Sequence, residues 1–194
     1  MFAKILCHTG SRAMKMHPGI MGFNSMMRFA TVAKGDKLPS AVVSIIRHDG
    51  ETGFKNEQVD MAEYLQGKKV CIVGFPGAFT PVCTASHIPE FIAKAEAIKS
   101  AGCDEIIAIS VNDPFVQTAY AESLGGKQVV NWAADGNGDF TKALGLSMDL
   151  SAAQLGTDRS VRYTLLVRDG QVIELNNEGD NNMTKISQVD RVME

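Results

Sequence analysis

The segment from Phe75 to Cys83 (F-P-G-A-F-T-P-V-C) places a cysteine shortly after an apolar run and close to the start of an amphipathic one. A cysteine near a helix N-terminus meets partial positive charge and unpaired backbone N–H groups, which stabilise a thiolate over a thiol. Thr80 lies about one turn earlier, and its hydroxyl can donate and accept hydrogen bonds. The two prolines and Gly77 stiffen and narrow the approach. A nucleophilic sulfur, a hydroxyl and free amides around one small pocket can orient a small oxygen substrate.

The elements on either side of this segment must position the cysteine. Residues 69–75 (K-V-C-I-V-G-F) are almost wholly apolar, which predicts a strand covered on both faces. Residues 86–100 repeat apolar side chains at helical spacing and predict a helix. Pro89 is tolerated if this helix begins shortly before it, and otherwise predicts a kink. Residues 105–111 (E-I-I-A-I-S-V) predict a second buried strand.

The rest of the chain continues the alternation of strands and helices. An Asp-Gly pair between two apolar runs is the strongest hairpin signal in the sequence. Strands are expected over residues 41–47, 129–133, 161–168 and 171–175, and helices over residues 59–65, 114–124 and 140–144 and from Met183 or Thr184. This order predicts an α/β fold with a central mixed β-sheet flanked by helices.

Three ordered motifs carry a resemblance to a known family. P-G-A-F-T-P-V-C-T followed by H-I-P resembles the active-site loop of peroxiredoxins, and specifically of the type II, peroxiredoxin-5-like subfamily. The segments I-S-V-N-D-P-F-V (109–116) and R-Y-T-L-L-V-R-D-G (162–170) resemble the same subfamily. The similarity extends from about Gly35 to Met193, and three motifs in this order make it highly specific.

The resemblance implies a thioredoxin-like fold and a thiol peroxidase that reduces hydrogen peroxide and alkyl hydroperoxides. In it Cys83 is the peroxidatic nucleophile, which becomes a sulfenic acid, and Thr80 aligns the sulfur and the peroxide. Arg162 favours the thiolate and stabilises charge developing on the peroxide oxygens. Pro76 shields the sulfenate from water. Further residues expected to line the substrate pocket are Gly77, Val82 and His87. No metal, haem, flavin or other cofactor is required.

The recycling step is expected to use an external thiol. Neither region where some type II members carry a resolving cysteine holds one: residues 180–187 contain none, and Ala108 stands at the other position. Cys103 is a weak candidate, because the intervening helix separates it from Cys83, and Cys71 reads as a buried strand residue. This one-cysteine pattern implies glutathione with glutaredoxin as the reductant, or thioredoxin second. A homodimer is expected from the family.

The composition of the chain excludes several classes of protein. The chain has 194 residues, 45% of them hydrophobic, and a net charge of -3, which favours a folded domain and argues against a nucleic-acid partner. No apolar run is long enough to cross a membrane. The histidines and cysteines show no zinc-like spacing.

The amino-terminal residues differ in charge from the rest of the chain. Residues 1–35 contain five basic side chains and no acid, which is typical of an organelle import leader. The expected division is a leader over residues 1–34, with processing near Arg28, and one domain over 35–194. The expected destination is the mitochondrial matrix. A retained extension, the cytosol or another organelle stay open as alternatives.

Alternative interpretations apply to the whole protein and to its candidate residues. The chain could be a redox sensor that relays oxidation of Cys83 to a partner, or a non-catalytic scaffold. Cys83 could be a structural first-turn cysteine, Arg162 a surface strand arginine, and His87 a structural residue lining the loop. A disulfide reductase is disfavoured because T-P-V-C contains one sulfur.

Overall fold

The computed structural model describes residues 31–51, 53–125 and 129–179. The strands are Val42–His48 (β1), Phe54–Asp60 (β2), Lys69–Gly74 (β3), Glu105–Ser110 (β4), Asn131–Ala134 (β5), Ser147–Met148 (β6), Arg159–Ser160 (β7), Tyr163–Arg168 (β8) and Gln171–Asn177 (β9). The α-helices are Met61–Tyr64 (α1), Ile88–Ala93 (α2), Ala95–Ser100 (α3), Pro114–Ser123 (α4) and Asp139–Ala143 (α5). A π-helical turn spans Cys83–His87 and a 3₁₀ turn spans Ser151–Ala153.

Seven strands form one sheet in the order β2-β1-β5-β4-β3-β8-β9. The central strands β3, β4 and β5 are parallel, and the strands outside them pair antiparallel. Two apolar clusters cover the faces of this sheet, and α2, α3 and α4 contribute to one of them. The expected central mixed sheet flanked by helices is therefore confirmed. No helix in the described part of the chain is long and apolar enough to cross a lipid bilayer.

Several elements follow the local sequence signals. The strands β1, β3 and β4 lie within a residue of their expected positions, and β5 is shifted towards Ala134. Asp113 caps α4 by accepting hydrogen bonds from the backbone N–H groups of Phe115 and Val116. The hairpin turns at Asp169 and Gly170, which both have positive φ. The helix expected from Met183 or Thr184 lies outside the described residues.

Two expectations are corrected by the structure. Residues 59–65 were expected to be helical, but β2 extends to Asp60 and the helix α1 covers only Met61–Tyr64. The central residues of β2 are exposed, so backbone pairing with β1 holds this edge strand without a buried apolar face. The helix expected over 86–100 is divided at Lys94, whose φ of -100° and ψ of 9° leave the helical region.

The folded domain begins ahead of Gly35. Val32 is buried, and its backbone N–H donates to the carbonyl oxygen of Leu144 at 2.9 Å. The residues of the expected leader that precede Thr31 lie outside the described part of the chain.

Candidate active site

Cys83 lies just after β3, at the start of a helical segment. The helical turns begin at Pro81, and Cys83 opens the π-helical turn, in which the N–H of Ile88 donates to the Cys83 carbonyl oxygen. This wider turn ends just before Pro89, which has no N–H to donate to the carbonyl four residues earlier. The expected kink therefore takes the form of a π-helical turn that begins at the candidate nucleophile.

Strand register brings Arg162 to the sulfur. β8 pairs antiparallel with β3 and places Tyr163 opposite Gly74, so that Arg162 lies beside the carboxyl end of β3. The pairing is close: a Cβ atom on Gly74 would lie 2.0 Å from the Tyr163 ring, and only glycine fits. The Nη1 and Nη2 atoms of Arg162 lie 3.6 and 3.5 Å from Cys83 Sγ. The sulfur and the guanidinium are both buried, so solvent screens the fixed positive charge only weakly from the sulfur.

Thr80 is fixed within the loop before Cys83. Its Oγ1 donates to the Gly77 carbonyl oxygen at 2.8 Å, and its own carbonyl oxygen accepts from the Thr84 N–H at 3.0 Å. Since the hydroxyl proton is directed to Gly77, the lone pairs of Oγ1 can accept a hydrogen bond from another group.

A cavity of about 190 Å³ lies next to Thr80 and Arg162. It is lined by Pro76, Thr80, Pro81, Val82, Leu150, Leu155 and Arg162. The structure thus brings four expected site residues together: Pro76, Thr80, Val82 and Arg162. Leu150 and Leu155 were not expected from the sequence, since they are isolated apolar residues in a segment without helical or strand periodicity.

Gly77 belongs to the active-site loop but is not among the residues that line the cavity. It is buried, and a Cβ atom on it would lie 3.4 Å from both Arg159 Nη1 and Thr80 Cγ2. The neighbouring N–H of Ala78 donates to Asn112 Oδ1 at 3.0 Å. The I-S-V-N-D-P-F-V segment therefore holds the active-site loop through Asn112.

His87, like Cys83, is not among the residues that line the cavity. Its ring is fully buried and meets Phe91 edge to face, with 5.5 Å between ring centroids. Burial, followed by the positive charge of Arg162, lowers the pKa of His87 to about 3. The ring is therefore neutral at physiological pH.

An aromatic cluster around Tyr120 supports the other side of the loop and was not expected from the sequence. The Tyr120 ring lies 5.8 Å from Phe75, 5.1 Å from Phe79 and 5.6 Å from Trp132, measured between centroids. Burial raises the pKa of Tyr120 to about 12, and its hydroxyl accepts a hydrogen bond from Thr84 at 3.3 Å. The Tyr120 hydroxyl therefore stays protonated at neutral pH, and its ring packs within the aromatic cluster.

The other described cysteines occupy different environments from Cys83. Cys71 lies in β3 and Cys103 follows α3; both are free and buried. Burial raises the pKa of both thiols, which makes them poor nucleophiles in the folded protein. Within the described residues, no cluster of histidine, cysteine and acidic side chains could hold a metal ion.

Comparison with known proteins confirms the expected thioredoxin-like fold. The Redoxin family model matches residues 33–193. Peroxiredoxin-2C of Oryza sativa subsp. japonica is 45% identical over 155 residues, covering 80% of this chain and 93% of that protein. The mitochondrial Peroxiredoxin-2F of Arabidopsis thaliana is 38% identical and covers 77% of each chain. The crystal structure of reduced Prx3 in complex with H2O2 from Vibrio vulnificus matches with a TM-score of 0.72 and 36% identity, covering 84% of this chain and 98% of that one.

Proposed function

The chain belongs to the Redoxin family and is a peroxiredoxin, a thiol peroxidase, and we propose that Cys83 is its peroxidatic residue in a one-cysteine cycle. One observation carries this proposal: the Arg162 guanidinium lies 3.5 Å from Cys83 Sγ and also lines the cavity in which a peroxide would bind. One fixed charge can therefore act on both reacting groups.

The oxidative half of the cycle is a displacement at oxygen. The Cys83 thiolate attacks the terminal oxygen of the hydroperoxide; an S–O bond forms and the O–O bond breaks. The electron pair of the broken bond leaves on the distal oxygen, which takes up a proton and departs as water or an alcohol. The sulfur is oxidised to a sulfenic acid and the peroxide is reduced.

The surrounding residues act on this displacement in different ways. The Thr80 hydroxyl accepts a hydrogen bond from the peroxide O–H and aligns it with the sulfur. The Arg162 guanidinium stabilises the thiolate and the charge that develops on the leaving oxygen. Pro76 covers the cavity and limits the access of water to the sulfenic acid.

The reductive half uses an external thiol. The burial of Cys71 and Cys103 and the raised pKa of each thiol support this route, because neither presents a ready thiolate to the sulfenic acid. Glutathione attacks the sulfenic sulfur, an S–S bond forms and water leaves. A thiol of glutaredoxin or of a second glutathione then attacks the glutathione sulfur and releases the Cys83 thiolate. Thioredoxin is the second candidate reductant.

A mitochondrial location is part of the proposal. The basic, acid-free residues 1–35 and the similarity to a mitochondrial relative support import into the matrix. Imaging of the full chain with a carboxyl-terminal tag should place it within mitochondria. Retention in the cytosol or in another organelle would contradict the assignment.

Intact-mass measurement on the full, reduced chain tests the cycle. One equivalent of hydrogen peroxide followed by glutathione should give a single glutathione adduct on Cys83, and the Cys83→Ser variant should give none. The matched control, Cys103→Ser, should behave as the wild type. Loss of two hydrogens without an adduct would instead indicate an internal disulfide and contradict the one-cysteine cycle.

Turnover separates the enzyme from a redox sensor. With glutathione and glutaredoxin present, the enzyme should consume peroxide continuously, whereas a sensor would be oxidised once and then stop.

A further inference from the structure

Arg159 is a half-buried cation in β7 with no ion-pair partner among the described residues. The adjacent carboxylate of Asp158 pairs instead with Lys142, at 3.3 Å. The Arg159 guanidinium donates to two backbone carbonyl oxygens: Nε to that of Leu155 and Nη1 to that of Val111, both at 2.6 Å. This one side chain therefore joins two segments that are distant in sequence. The two bonds are charge-assisted, and such bonds are stronger than neutral ones.

The first carbonyl belongs to the segment between β6 and β7, which carries Leu150 and Leu155, the apolar wall of the cavity. This segment closes on itself: the Leu150 N–H donates to Gly156 at 2.9 Å, and the Leu155 N–H donates to Leu150 at 3.1 Å. The strands at its two ends are two residues long and form a separate sheet. The position of the apolar wall relative to the active-site loop therefore depends on a few contacts, of which the Arg159 bonds are two.

The second carbonyl lies at the base of the active-site loop. Val111 precedes Asn112, whose Oδ1 accepts from the Ala78 N–H at 3.0 Å. A Cβ atom on Gly77 would lie 3.4 Å from Arg159 Nη1, so the guanidinium lies against this loop. Arg159 thus contacts three parts of the molecule: the loop before Cys83, the carboxyl end of β4 and the segment that carries the apolar wall.

We propose that Arg159 is a positioning residue that holds the apolar wall in place relative to the active-site loop and thereby sets the ratio of reactivity with organic hydroperoxides to reactivity with hydrogen peroxide. This inference rests on the proposed function of Cys83. Arg159 does not line the cavity and acts through Leu150 and Leu155.

The effect should depend on the size of the peroxide. Hydrogen peroxide has no organic group, and the proposed function gives its two oxygens contacts to Thr80, Cys83 and Arg162. An organic hydroperoxide must also place an apolar group in the cavity, where Leu150 and Leu155 are part of the apolar lining. Displacement of the wall should therefore penalise the organic substrate selectively.

The test uses Arg159→Met, which keeps an unbranched side chain and removes both hydrogen bonds. We would measure single-turnover rate constants of the reduced full chain with cumene hydroperoxide and with hydrogen peroxide, so that no reductant is involved. The rate constant for cumene hydroperoxide should fall about tenfold or more, and that for hydrogen peroxide by less than about threefold. Arg159→Lys should not restore the ratio of the two rate constants, because one ammonium group cannot reproduce the two diverging N–H donors of the guanidinium.

The matched control is Arg168→Met, which removes an exposed arginine at the far end of β8 and should leave the ratio of the two rate constants unchanged. Leu155→Ala tests the wall with Arg159 in place and covers the case in which Arg159→Met does not fold. It should lower the same ratio, and adding Arg159→Met to it should have less effect than in the wild type.

The possible outcomes separate this inference from the proposed function. An equal loss with both peroxides, or an unchanged ratio in Arg159→Met or in Leu155→Ala, would overturn the role of Arg159. Failure of the proposed function would show differently, as peroxide reduction that persists in Cys83→Ser.

Discussion

The parallel strands β3, β4 and β5 have two edges, and their charged residues are partnered in opposite ways. At the amino edge, the carboxylate of Glu105 accepts from the Tyr64 hydroxyl at 2.6 and 2.7 Å and from Asn131 Nδ2 at 2.5 Å. Lys68 Nζ lies 3.5 Å from the same carboxylate and 3.6 Å from the centre of the Tyr64 ring. Positive and negative charges at this edge neutralise each other.

At the carboxyl edge, Arg162 has no ion-pair partner among the described residues. Its Nη atoms point at Cys83 Sγ, and its buried Nε has no hydrogen-bond partner within the described part of the chain. A buried charge without a carboxylate costs free energy of folding. The comparison indicates that the charges of the amino edge are paired with one another, while the Arg162 cation at the carboxyl edge is directed at the Cys83 sulfur.

The largest expected effect comes from removing the cation at the carboxyl edge. Arg162→Met should lower the rate constant with hydrogen peroxide by about 100- to 1,000-fold, the usual cost of losing an electrostatic donor to a transition state. The free energy of unfolding should change by less than about 1 kcal/mol or rise, because a buried and incompletely bonded charge is replaced by an apolar chain of similar length. Stopped-flow peroxide consumption and urea denaturation measure the two effects.

The reverse result would break the comparison. If Arg162→Met kept its reactivity but unfolded at much lower urea concentration, Arg162 would be a structural residue. Arg168→Met, at an exposed position in the same strand, serves as the control for loss of an arginine side chain.

A smaller and opposite effect is expected at the amino edge. Glu105→Ala should lower the free energy of unfolding by about 3 kcal/mol, since it leaves Tyr64, Asn131 and Lys68 without their shared acceptor. Peroxide reactivity should stay within about twofold of the wild type, because this edge lies at the other end of the strands.

Glu105→Gln separates hydrogen bonding from charge at this edge, and should recover part of the loss because the amide oxygen still accepts from Tyr64. Glu57→Gln is the matched control, since Glu57 forms an exposed pair with Arg47 at 3.8 Å and such pairs contribute little. A loss of peroxide reactivity in Glu105→Ala at full stability would contradict the division between the edges.

The sequence predicts the parts of the fold that local signals determine. Apolar runs give β3 and β4, the Asp113 cap gives the start of α4, and Asp169-Gly170 gives the hairpin. The edge strand β2 has no comparable signal, because backbone pairing to β1 holds a segment whose central side chains are exposed.

Local signals predict only part of the candidate site. The loop motif identifies Cys83 and Thr80. The proximity of Arg162 to Cys83 depends on the register of β3 and β8, which local pattern does not predict, and Arg162 was identified only through the resemblance. The full burial of His87 was not predicted from the sequence, because local pattern does not show how closely other elements pack against its ring.

The smallest expected effect concerns His87, and it tests whether a second cation is tolerated directly beside Arg162. Burial and the charge of Arg162 lower the pKa of His87 to about 3, whereas the unfolded chain takes up its proton near the ordinary value of about 6.5. The unfolded state therefore binds more protons below pH 6.5, and the stability of the folded state falls as pH decreases from about 6.5 towards 3. At pH 5 the loss should be about 2 kcal/mol, from about 1.4 kcal/mol per pH unit.

Urea denaturation at pH 7 and pH 5 measures this loss, since few carboxylates change charge over that interval. His87→Leu should remove most of the difference between the two pH values, while His48→Gln, at a histidine on β1, should retain it. If the wild type and His87→Leu lost the same stability at pH 5, the ring would be protonated in the folded protein. A second cation would then be tolerated beside Arg162, and the surroundings of the Cys83 sulfur would not exclude a further positive charge.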